Sequence, residues 1–199
     1  DFHRRYSPIF QLRTRDVSQV SEQYFRGLIQ ASKKNMERMA EAVPDCDDQA
    51  LQHFLTNSPW EDQRVVEQVT HDANSLLGGY TDSCLIIDES GMPKKGKKSV
   101  GVSRQWCGQL GKTDNCQVGV YSILCRGEHA VPIGFRLFLP QCWIDDEDRC
   151  KEAGIPDESI EFFTKPELAI QLVIEARMLG VEFEWISADS FYGKDTAFL

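Results

Sequence analysis

Leu85, Ile86 and Ile87 run directly into Asp88. Three aliphatics in a row form a short buried strand, and the aspartate stands where that strand is expected to end. A Gly/Pro turn with four lysines follows: Gly91, Met92, Pro93, Lys94, Lys95, Gly96, Lys97 and Lys98. An acid at the end of a buried strand, beside a basic loop, suits a metal-dependent site for phosphate chemistry.

The residues after this stretch define the rest of the sheet. Segments 117–125 and 130–139 are apolar enough for two strands, and Arg126-Gly127-Glu128-His129 joins them as a hairpin turn. Pro140 stops the second of them, and the acid-rich segment 143–163 is expected to be a surface excursion. Lys165-Pro166-Glu167 opens a helix to Leu179, with Pro in the first turn and Gly180 just past the end. Segment 181–189 is a last strand, and it too ends in an acid, Asp189. A helical crossover makes this strand parallel to one already laid down, most simply 84–88. Parallel neighbours end side by side, so Asp88 and Asp189 are expected at one edge of the sheet.

Ahead of the sheet, segments 17–42, 47–55 and 60–77 each carry apolar residues at helical spacing, closed by Pro44, Pro59 and Gly78-Gly79. The division expected is a helical region over 1–80 and a sheet domain over 81–199. The helical region reads either as plain packing or as a DNA-end-binding unit resting on its basic first helix.

The 199 residues carry a net charge of -9, which argues mildly against a dedicated nucleic-acid binder. The distribution matters more. Residues 1–40 hold eight Lys/Arg against four Asp/Glu, and residues 94–104 hold five basic groups and no acid. No run approaches the ~20 apolar residues of a membrane span. The chain opens without an initiator Met or an apolar signal region, so a non-secreted piece of a longer product is expected. Seven cysteines are scattered without a CxxC pair. A zinc site of Cys107, Cys116, Cys125 and His129 fails on spacing, and reduced thiols in a cytoplasmic protein are the better account.

Two carboxylates at adjacent strand ends can share hard cations such as Mg²⁺ or Mn²⁺, which prefer oxygen ligands. The bland alternative is that Asp88 and Asp189 cap turns, as Asp often does. Gly91-x-x-x-x-Gly96-Lys97-Lys98-Ser99 comes one residue short of a P-loop, and the Val100-Gly101-Val102 that follows starts no helix. Lys94, Lys95, Lys97, Lys98 and Arg104 read instead as a flexible basic flap near Asp88 that contacts a phosphate backbone, or as a solvated charge run. Trp106 either stacks on a base or packs.

Several strings resemble one family. The segments from Ile86 to Gly96, Ser103 to Lys112, Asn115 to Val120 and Ala188 to Gly193 are similar to the DDE-superfamily endonuclease domain of bacterial insertion-sequence transposases. Asn35 to Ala40 and Gln49 to Phe54 resemble the helical region that precedes it. The resemblance implies an α/β fold with a ribonuclease H-like mixed sheet after a helical domain. It implies that Asp88 and Asp189 match the first two acids of an Asp-Asp-Glu triad, with Mg²⁺ or Mn²⁺ as cofactor.

The implied activity is hydrolysis at the element ends, then attack of the freed 3′-hydroxyl on target DNA. Partners would be DNA and a second copy of the protein in a homodimer, at the bacterial nucleoid, without a membrane. The family's glutamate lies well beyond its second aspartate. The expectation is therefore a fragment that supplies two acids of three and is inactive alone. The alternative is a non-catalytic DNA-binding fragment that competes with intact transposase.

Overall fold

β1 (Cys84–Pro93) is the spine of a five-stranded mixed sheet in the computed structural model, which describes residues 2–198. On one side β1 pairs antiparallel with β3 (Lys112–Arg126), over ten residues from Cys84↔Cys125 to Pro93↔Cys116. On the other it pairs parallel with β5 (Trp185–Ala188), from Cys84↔Trp185 to Ile87↔Ala188. The parallel pairing expected from the helical crossover is present.

β3 is long enough to serve two partners along its far edge. Its first residues pair with β2 (Ser103–Cys107) and its later ones with β4 (His129–Leu137). The β3–β4 hairpin turns where expected, with Gly127 at φ 57°, a left-handed conformation that glycine adopts without a Cβ clash. Pro132 faces Ile123 just past a register shift, and an edge strand tolerates its missing N–H.

α7 (Lys165–Met178) lies against this sheet. Thr164 and Glu167 form a reciprocal capping box at its start, with Pro166 in the first turn. Leu168, Leu172 and Ala176 of α7 pack with Leu85 and Ile87 of β1, Val120 and Leu124 of β3, and Ile133 of β4. Every one of these side chains is at most 5% exposed, so the helix closes the core.

The segment 143–163 is mostly exposed, as a surface excursion would be, but it carries two buried anchors. It begins within α5 (Gln141–Ile144) and contains α6 (Glu147–Glu152), and Trp143 and Cys150 are completely buried. Trp143 Nε1 donates to the Val102 carbonyl at 2.9 Å. One buried indole with a partner outweighs the polarity of its neighbours.

The chain divides into two compact units, Asp1–Gln68 and Val69–Leu199. The first holds α1 (Ser18–Gln30), α2 (Met36–Ala42) and α3 (Asp48–Thr56), while α4 (Asp62–Leu77) begins in it and ends in the second. Segment 17–42 is two helices, not one. Ala31 leaves helical geometry, and the Asn35 side chain caps α2 by accepting from Arg38 N at 2.9 Å. Met39 and Leu51 form the centre of this unit with Ala31. Among the described residues no helix is long and apolar enough to cross a membrane.

Candidate functional site

β1 does not end at Asp88. It continues to Pro93 because β3 keeps pairing with it, while β5 stops at the Ile87↔Ala188 pair. Asp88 and Asp189 are each the next residue after that last parallel pair, so the two acids lie side by side where the strands part. Both line one cleft of about 330 Å³, together with Glu89, Gly91, Trp106 and Gln109.

Each aspartate also accepts from backbone nearby. Asp88 Oδ1 accepts from Glu89 N at 2.8 Å, and Asp189 Oδ1 accepts from Phe191 N at 2.9 Å and Tyr192 N at 3.4 Å. The turn-capping expectation holds for Asp189, whereas Asp88 lies inside β1 and bonds only the next residue. Among the described residues the Oδ2 of each acid has no hydrogen-bond donor. The open oxygen on each carboxylate is the hard donor type that divalent cations take.

Glu89 is a third acid in the cleft, and sequence reasoning gave it no role. Its Oε1 pairs with Lys165 Nζ at 2.8 Å, and its Oε2 accepts from the Tyr192 hydroxyl at 2.7 Å. With both oxygens taken, Glu89 braces the site and is not a free ligand. Among the described residues no group of three or more His, Cys, Asp and Glu forms a metal-holding cluster. Tyr192 is fully buried, and its phenol is pushed well above the usual tyrosine range. Burial is the main cause, followed by the hydrogen bond to Glu89 and the charges of Glu89, Asp189 and Asp88.

Trp106 is 56% exposed and faces the cleft, so it does not pack in a core. Gly91 allows this wall to form: a Cβ there would sit 3.1 Å from the Cys107 Cα and Sγ of β2. Arg104 shares the outward-facing side of β2 with Trp106, since the strand alternates.

The lysine loop differs from the flexible flap expected near Asp88. It starts after Pro93, five strand residues or about 17 Å from Asp88. Its backbone is pinned. Asn115 Nδ2 donates to the carbonyls of Lys94 and Gly96 at 2.6 and 2.8 Å, and Gln117 Nε2 to that of Val100 at 2.6 Å. Arg149 donates to the Lys97 carbonyl at 2.8 Å. Lys95, Lys97 and Lys98 are exposed, and among the described residues neither they nor Lys94 and Arg104 make an ion pair. These latches join residues 17 to 52 positions apart, and no local pattern in the sequence reports them.

The family model for DDE superfamily endonucleases matches residues 8–199. A probable transposase for insertion sequence element IS701 from Microchaete diplosiphon is 34% identical over 164 residues. That alignment covers 81% of this chain and 39% of the relative, so the chain spans about two fifths of that protein's length. No solved structure matches. The chain belongs to the DDE superfamily endonucleases.

Proposed function

We propose that this chain carries the first two acids of a DDE-type transposase, which cuts DNA at insertion-sequence ends and joins the freed 3′-hydroxyl to target DNA. The observation that carries the reading is the meeting of Asp88 and Asp189 in one cleft at the point where β1 and β5 diverge. Membership of the endonuclease family and the likeness to a transposase support it. The sheet with two acids at parallel strand ends suits a ribonuclease H-like domain, and the preceding helices suit a DNA-binding region.

Asp88 and Asp189 would hold Mg²⁺ or Mn²⁺ through their outward oxygens. When bound, such ions supply charge neutralisation at a phosphodiester and lower the pKa of an attacking water or hydroxyl. The protein's own part is to fix the two carboxylates. Backbone N–H groups orient each one, and Glu89 ties β1 to the turn that follows β5. Lys94, Lys95, Lys97, Lys98 and Arg104 would contact phosphates away from the reacting one, given the length of β1 between them and Asp88. The reading entails a homodimer in the joining complex and work in the cytoplasm, at the nucleoid.

A second reading has its own support in the exposed lysines: a DNA-binding fragment that competes with intact transposase without cutting. Nicking of supercoiled plasmid separates the two. In a longer protein that also supplies the family's third acid, the transposase reading expects nicks with Mn²⁺ or Mg²⁺ that vanish on chelation and in Asp88→Asn or Asp189→Asn. The second expects binding that survives chelation, falls steeply with salt, and gives no nicks.

A further inference from the structure

We infer that Asn115, Gln117 and Arg149 are positioning residues for DNA binding: they hold the loop 94–102 in one shape so that Lys95, Lys97 and Lys98 meet a duplex phosphate backbone already ordered. This rests on the reading that those lysines contact DNA.

The loop between β1 and β2 has no ladder of its own, and its carbonyls would ordinarily go to water. Here they are taken by side chains rooted elsewhere. The two hydrogens of the Asn115 amide go to Lys94 and Gly96, and Lys94 N closes the ring by donating to the Asn115 carbonyl at 2.9 Å. Gln117, from the same strand, takes Val100. Arg149 reaches Lys97 from α6 while its guanidinium lies 3.8 Å over the ring of buried Trp143. The donors therefore stand outside the loop, on a strand and against a buried aromatic anchor.

None of this pinning uses the lysine side chains. α6 carries Glu147 and Asp148, yet it is Arg149 that bonds the loop, which adds positive charge to a cluster already rich in it. Such a cluster repels itself and becomes favourable when a polyanion neutralises it. Carbonyls fastened and ammonium groups left unpaired suit a surface built to receive phosphates. An ordered loop also avoids the conformational entropy that a mobile one loses on binding.

The test is binding of a duplex oligonucleotide to the 199-residue chain between about 50 and about 200 mM salt. Asn115→Ala and Gln117→Ala remove latches without changing charge. Lys95→Ala/Lys97→Ala/Lys98→Ala removes three charges. The latch variants are expected to bind about tenfold more weakly with an unchanged salt slope, because every phosphate contact is still made. The lysine variant is expected to lower the slope of log K against log salt by roughly 0.9 per contact, about 2.7 in all.

Latch variants that bind as tightly as the parent, or that lose slope, would overturn the positioning role while the DNA reading stands. A lysine variant with parental affinity and slope would overturn the DNA reading itself, and the inference with it. If Asn115→Ala fails to fold, Gln117→Ala, which removes a single bond, carries the same comparison.

Discussion

The Tyr192 hydroxyl donates a 2.7 Å hydrogen bond to Glu89, and this joins β1 to the turn after β5 just past the last backbone pair between them. Beyond Ile87 and Ala188 the two strands share no ladder. Glu89 bridges the gap from the β1 side, with Lys165 neutralising its other oxygen. Tyr192 bridges it from the β5 side, three residues after Asp189. The separation of the two aspartates thus depends on a contact between their neighbours.

Removing that hydroxyl alone leaves a partly buried carboxylate short of a donor. Tyr192→Phe is expected to cost about 1.5–3 kcal/mol, the range for a hydrogen bond to a charged group. Urea unfolding of parent and variant measures it.

α7 seals the sheet through Leu172, which is 1% exposed. Leu172→Ala leaves a cavity between the helix and the sheet. The expected loss is about 2–5 kcal/mol of unfolding free energy, read from the same urea curves.

His3 gives the helical unit a pH dependence. Burial lowers its pKa below 6.5, outweighing the opposite pull of Glu22. A base whose folded pKa is lowered contributes stability that is fully present above its unfolded value and is lost as pH falls towards the folded one. The unit is therefore expected to weaken as pH drops below about 6.5. His3→Gln should flatten that part of the stability profile, measured by denaturant midpoints across pH 5 to 8.

What the sequence made legible follows from which contacts are local. The β1–β5 pairing was readable because Pro166 and Gly180 bound a helix between two apolar runs, and the handedness of such crossovers limits the choices. The two acids followed from that pairing. The continuation of β1 past Asp88 was hidden, since Glu89-Ser90-Gly91 has neither apolar runs nor alternation and pairs only because β3 extends alongside.

The break at Ala31 was hidden by apolar periodicity on both sides of it, although Asn35 offered a cap signal. Trp143 lay in an acid-rich segment whose polarity masked one fully buried indole. Glu89 stood beside the acid that attracted attention, and its partners Lys165 and Tyr192 come from elements 76 and 103 residues away. No local pattern reports such a brace.

Binding of Mn²⁺ to the chain, followed by the loss of its free-ion paramagnetic resonance signal, tests the paired-carboxylate site most directly. The account predicts saturable binding to the parent, weakened tenfold or more by Asp88→Asn and, separately, by Asp189→Asn. Parental binding in both variants would contradict it, as would a parent chain that binds no Mn²⁺.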